Sequence, residues 1–182
     1  PDQGPVRTPQ QRVANSALIR MANFAPTYSK VDTYIDGTKV AGGLPYGGIS
    51  RYFAIEPGVH SFQVSRINQQ ENYFAEKEFS MEAKKYTVAI TRNTNNQNVI
   101  LKYSNEFNPR SGLAGLRFIN LSADSPPLNF GVSEGPTFAE GVSFQGGTNF
   151  ISIQPDNYNL AISNANNGEV LLRSENISIE AK

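Results

Sequence analysis

Cysteine and tryptophan are absent from this 182-residue chain, and histidine occurs once. Without cysteine there are no disulfides, no thiolate nucleophile and no cysteine-based zinc site. A single histidine cannot make a histidine-rich metal site, so no metal or cofactor is expected. Net charge is also absent: sixteen Lys and Arg balance sixteen Asp and Glu. Nucleic-acid binding needs a surplus of basic residues to displace counterions, so no nucleic-acid partner is expected. The basic residues are scattered, with Lys84-Lys85 the only adjacent pair. No apolar run approaches the ~20 residues that span a bilayer, so no direct membrane span is expected. The given residues open on the polar stretch PDQGPVRTPQQRVANS, in which no signal-peptide pattern is read. It reads as a processed or trimmed start forming a tether, residues 1–16.

What is present suits strands. Charged residues make up 18% and hydrophobic ones 38%, with Asn, Gln, Ser, Thr and Gly filling the rest. That composition disfavours long helices. Apolar residues alternate with a period of two through Val31-Asp32-Thr33-Tyr34-Ile35, and Asp36-Gly37 follows as a hairpin turn. In Val59-His60-Ser61-Phe62-Gln63-Val64, His60, Phe62 and Val64 share a face. Phe79 and Met81 share another, as do Tyr86, Val88 and Ile90.

The chain also repeats itself. Ile19-Arg20-Met21-Ala22-Asn23-Phe24-Ala25 aligns with Leu116-Arg117-Phe118-Ile119-Asn120-Leu121-Ser122. After one inserted residue the register runs without gaps. Tyr52-Phe53-Ala54-Ile55-Glu56-Pro57 meets Phe150-Ile151-Ser152-Ile153-Gln154-Pro155, and Phe79 to Lys84 meets Ile177 to Lys182. Self-similarity at this spacing indicates tandem domains. The expected organisation is an arm (1–16), a first repeat (17–106), a linker (107–111) and a second repeat (112–182) lacking its last two strands. About seven short strands per full unit, with frequent turns, describe an all-β fold of two tandem immunoglobulin-like β-sandwich domains.

IRMANFAPTYSKVDTYIDG and LPYGGISRYFAIEPGVHSFQV resemble the motifs "RVVHASPDAPAVDVYVDG" and "aFGevSdYlplpaGtYrvqV". These belong to the bacterial envelope family of domains of unknown function numbered 4397. The resemblance covers nearly the whole chain beyond the arm. It implies tandem immunoglobulin-like sandwiches in an exported protein. The family histidine falls at Asn23 and Asn120 here, and no catalytic residue carries over.

Candidate chemistry is sparse. His60 lines up with Tyr158, which suits a half-exposed strand position better than a general base. Asp32, Asp36 and Asp124 lack the clustering that calcium requires, and Asp36 is expected to stabilise its own turn. Gly42-Gly43 and Gly47-Gly48 lack the following GK[ST] of a phosphate loop and fit a bend or bulge. Tyr46 and Tyr52 recur as Phe144 and Phe150, which points to the core. Tyr28, Tyr73 and Phe74 have no aromatic counterpart in the second repeat and are the candidate surface-binding residues. Asn120-Leu121-Ser122 and Asn176-Ile177-Ser178 match a glycosylation sequon incidentally.

The expected function is a noncatalytic structural or protein-interaction module, exported to the cell surface, extracellular space or periplasm. Its expected partners are envelope proteins or copies of itself. A carbohydrate-binding module is one alternative. A subunit of a polymer assembled by strand exchange, with Arg12 to Ala17 as donor, is another.

Overall fold

The computed structural model describes residues 15–108 and 110–181. Every regular element among them is a strand, so the all-β expectation holds. The chain divides between Glu106 and Phe107 into two compact units. The arm, and the strand donor within it, fall outside the described residues up to residue 14.

The first unit contains β1 (Ala17–Asn23), β2 (Lys30–Ile35), β3 (Thr38–Pro45), β4 (Phe53–Ile55), β5 (Gly58–Ser65), β6 (Tyr73–Met81), β7 (Lys85–Arg92) and β8 (Asn98–Ser104). That is eight strands, not about seven. Three-residue β4 is too short for alternation to register, and its pairing with β1 defines it. One sheet has the order β4-β1-β7-β8 and the other β3-β2-β5-β6. β1 runs parallel to β7, with Ile19 opposite Tyr86 and Met21 opposite Val88.

Alternation delivers one apolar row per strand to a shared core. Ile19 and Met21 come from β1, Val31 and Ile35 from β2, Phe62 and Val64 from β5, and Tyr86, Val88 and Ile90 from β7. Two sheets closing on one core are compatible with a β-sandwich. Each such side chain, fully buried, contributes about 1.5–3 kcal/mol. Two irregularities break the period-two pattern. The β2–β3 pairing shifts beside Gly43. The β5–β6 pairing passes from Val64↔Ala75 to Ser65↔Tyr73, leaving Phe74 as the bulged residue.

The second unit contains β9 (Ala114–Leu116), β10 (Leu128–Val132), β11 (Thr137–Val142), β12 (Ile151–Ile153), β13 (Asp156–Asn164) and β14 (Val170–Ile179). Its larger sheet has the order β11-β10-β13-β14, and its smaller one pairs β12 with β9. Phe118 stacks on Phe130 with centroids 4.9 Å apart. Phe107, read from sequence as the start of a linker, packs against Phe150 at 4.9 Å.

Two expectations are corrected. Tyr46 and Tyr52 do not enter the core; they are 56% and 42% exposed. Tyr52 lies under the Arg20 guanidinium, 5.2 Å from the ring centre, and its hydroxyl accepts from Asn105 Nδ2. A tyrosine hydroxyl gains from such a wet position, whereas its phenylalanine counterpart has no polar end to satisfy. Asp36 does not serve its own turn. Its Oδ1 accepts from the Ser61 amide on β5, 2.8 Å away, because a residue in the left-handed region (φ 49°) starts the turn and faces the neighbouring strand.

Candidate functional site

The three aromatic candidates all lie half-buried in the first unit. The bulge separates two of them. Tyr73 turns to the face that carries Tyr34 and meets its ring edge-on at 5.3 Å. Phe74 turns inward and stacks on Tyr28 with centroids 4.0 Å apart and planes 13° from parallel. Tyr28 and Phe74 both pack against the core, and the Arg66 guanidinium stands 5.6 Å over the Tyr28 ring. The structure therefore brings Tyr28 and Phe74 together and leaves Tyr73 apart. They stack on protein groups and do not form one flat exposed platform.

The polar groups are tied inward. His60 Nδ1 lies 2.7 Å from Asp36 Oδ2, and Nε2 lies 2.8 Å from the Glu56 carbonyl. Both partners accept, so both ring nitrogens act as donors and the imidazolium fits best. Burial disfavours that charge. The hydrogen bonds to Asp36 and to the Glu56 carbonyl, with the Asp36 charge, outweigh it and raise the His60 pKa. The same hydrogen bond from His60 holds Asp36 below the usual carboxylate range, against a smaller effect of burial. In the second unit the Tyr158 hydroxyl donates to the Gln154 carbonyl over 2.8 Å. Histidine and tyrosine thus make the same tie, four residues back across Glu56-Pro57 and Gln154-Pro155.

Asp32, only 2% exposed, is not a metal ligand in waiting. Its oxygens accept from Lys39 Nζ at 2.7 Å, the Gly43 amide at 2.8 Å and the Asn68 amide at 3.2 Å. Burial raises its pKa, but these donors prevail and lower it. Asn129 keeps the amide tie alone, accepting from Gly141 at 2.9 Å. Among the described residues no group of three or more His, Asp or Glu is placed to hold a metal ion. Nor is any helix long and apolar enough to cross a membrane.

Sequence reasoning missed the most buried polar side chains. Asn23, fully buried, donates from Nδ2 to the Leu44 carbonyl at 3.1 Å and the Tyr28 carbonyl at 3.4 Å. Its Oδ1 accepts from the Ala25 amide. Asn120 donates to the Val142 carbonyl at 3.0 Å and accepts from the Ser122 amide at 3.0 Å. The signal was available, since asparagine stands at both places in the repeat. In the second unit a polar cavity of about 150 Å³ lies beside Asn129, Ser133, Ser163 and Arg173. Arg173 reaches into that region to donate to Ser133 Oγ over 2.5 Å.

Residues 17–131, well over half of the chain, match the family described as a domain of unknown function (DUF4397). The chain belongs to this family. The DUF4397 match takes in β1 to β8 and ends within β10 of the second unit. No curated protein matches the chain. Among solved structures, the Bacillus anthracis TIE protein is similar at 11% sequence identity and a TM-score of 0.28. That match covers 90% of this chain and 32% of the other, so the chain spans about a third of that protein's length.

Proposed function

We propose that this DUF4397 chain is a noncatalytic structural or protein-interaction module of a bacterial cell envelope, built from two tandem immunoglobulin-like sandwiches. One observation carries this reading: buried polar side chains bond to their own fold. Asn23, Asp32 and Asn120 are buried and tie one strand or turn to another, and half-buried His60 does the same. A general base or ligand-binding group would instead aim a free atom at a substrate. Tandem duplication is supported by pairs of equivalent ties, Asn23 with Asn120, Asp32 with Asn129, and His60 with Tyr158. The envelope assignment rests on the likeness of the sequence motifs to exported proteins.

The test combines location with contact. A photo-crosslinking side chain replaces Tyr46, 56% exposed, in protein produced by its own bacterium. Discrete protein adducts in the envelope fraction are expected. Recovery of the protein in the cytosol, or turnover in a broad hydrolase screen, overturns the reading. A carbohydrate-binding role draws no support from the Tyr28–Phe74 stack, which packs against the core while Tyr73 turns to Tyr34. Binding on a glycan array that disappears in Tyr73→Ala would establish it over the protein-interaction reading.

A further inference from the structure

The sheet β3-β2-β5-β6 of the first unit and the sheet β11-β10-β13-β14 of the second differ on the face turned away from the core. In the first unit Tyr34, Gln63 and Glu76 stand side by side across β2, β5 and β6. These side chains fill that face. Tyr34 is fully buried with its ring edge-on to Tyr73, and Gln63, 8% exposed, donates to Glu76 Oε1 over 3.0 Å. In the second unit the same row across β10, β13 and β14 holds Gly131, Ala161 and Arg173. Two large side chains give way to a hydrogen and a methyl group, and a carboxylate gives way to a guanidinium.

The space so opened forms two polar cavities of about 150 and 180 Å³, both lined by Arg173, Ser133 and Glu134. Asn129 and Ser163 line the first as well, and Asn159 the second. Both asparagines are fixed in orientation. Asn129 Oδ1 accepts from the Gly141 amide and Asn159 Oδ1 from the Asn176 amide, each over 2.9 Å. Among the described residues neither Nδ2 meets a protein acceptor, and the Ser163 hydroxyl has no partner. Arg173 is 52% exposed; it donates to Ser133 Oγ and has Glu134 3.9 Å away. The first unit closes this face on itself, whereas the second leaves preset donors that water serves until a ligand takes its place.

We propose that this face of the second unit binds a single sugar ring, with Arg173, Asn129 and Ser163 bonded to its hydroxyls. The site goes beyond the protein-interaction reading and shares no residue with the aromatic candidates of the first unit. Chemistry selects the ligand class. The lining offers donors in Arg173 and Asn129 and an acceptor in Glu134, and a hydroxyl both donates and accepts. Glu134 and Glu175 offset the charge of Arg173, which disfavours a bare anion. Val170, 43% exposed, lines the first cavity where Tyr73 stands in the first unit, and gives the C–H face of a ring an apolar contact. Each cavity lies below the about 300 Å³ that encloses a drug-sized ligand, so it suits one ring and not a chain. The second cavity leaves room for a glycosidic substituent. A free monosaccharide and the end of a glycan therefore share this chemistry.

The probes are glucose, galactose, mannose and N-acetylglucosamine, with their methyl glycosides, titrated into the 182-residue protein and followed by amide NMR. Saturable binding of at least one sugar is expected, on the order of millimolar. Shifts should appear on β10, β13 and Arg173 and in the side-chain amide of Asn129. Equal binding of the methyl glycoside marks a glycan end as the source; binding of the free sugar alone marks a monosaccharide. Arg173→Gln should weaken binding at least tenfold. So should Ala161→Gln, which refills the space as Gln63 does. Val59→Lys, on a 67% exposed side chain of the first unit, should leave binding unchanged. Unchanged amide signals of β9 and β12, in the other sheet of the second unit, verify that the Arg173 and Ala161 variants fold. Absence of saturable binding by every sugar overturns the proposal. So do shifts confined to the first unit, loss of binding in Tyr73→Ala, or indifference to both Arg173→Gln and Ala161→Gln. Binding of acetate and glucuronate where the neutral sugars do not bind would reveal an anion site and overturn it as well. If every sugar fails while Tyr46 crosslinks persist, the sugar site is wrong and the interaction reading stands.

Discussion

Asn23 shows how one polar residue can hold two loops. Its amide is sealed from solvent and bonds three backbone groups, at Ala25 and Tyr28 in the connection after β1 and at Leu44 near the end of β3. Replacing it with alanine strands those groups in the interior. Asn23→Ala should therefore destabilise the first unit by about 3 kcal/mol, measured by chemical denaturation. His60 makes a different, pH-dependent tie. Its folded pKa lies above the ordinary value of 6.5. Its stabilising contribution is then complete below about pH 6.5 and is lost as pH rises through the higher folded value. Asp36 works in the opposite sense, present above its ordinary 3.8 and lost as pH falls through its lowered folded value. Between those limits the Asp36–His60 pair is ionised on both sides. The unfolding midpoint of the first unit should fall from pH 6 to pH 8, and His60→Tyr, copying the tie at Tyr158, should flatten that dependence.

At the scale of elements, the two units agree in the strand order of their larger sheets yet differ in detail that only pairing reveals. Phe79 and Ile177 sit opposite His60 and Tyr158, as the gapless sequence register requires. Tyr73, however, sits opposite Ser65 and Val170 opposite Ser163, one residue away from that register. The second connection is one residue shorter. β14 restores the count with a bulge between its pairings Tyr158↔Ile177 and Leu160↔Ser174. There Asn176 has a φ of 55°, and its amide donates to Asn159 Oδ1 over 2.9 Å. Glycine choice is equally local. A Cβ on Gly131 would lie 2.5 Å from the Pro136 carbonyl oxygen and 2.7 Å from Thr137 Cα. Both are backbone atoms that cannot swing aside. Gly131→Ala should cost the second unit about 2 kcal/mol through overpacking, read as a lower denaturant midpoint with the first unit's transition unmoved.

Across the whole molecule, coverage of the core differs between the two units. In the first, β7 has an unbroken buried run from Tyr86 to Thr91. In the second, β14 is exposed at most positions. Local opening free energy falls where buried apolar contacts are few. Backbone amides of β14 should therefore exchange with deuterium at least tenfold faster than those of β6, its counterpart beside β5. Equal protection of the two strands would show that the exposure of β14 does not lower its local stability.

The sequence alone determined the strand character and the core rows on β2, β5 and β7. Period-two alternation is a local property, and a side chain's face follows from its parity along a strand. It also pointed to the left-handed turn at Asp36-Gly37, because so few residues tolerate that geometry. Tertiary structure decided the rest. Whether Tyr52 lies in the core or under Arg20 depends on β1, a strand distant from it in the sequence. The bulge at Phe74 reverses side-chain parity, and its place is set by pairing with β5, which no alternation along β6 records. The roles of His60 and Asn23 depended on groups brought in from elsewhere in the chain, the Asp36 carboxylate and the Leu44 carbonyl, and a buried polar group is understood only when its partners are in place.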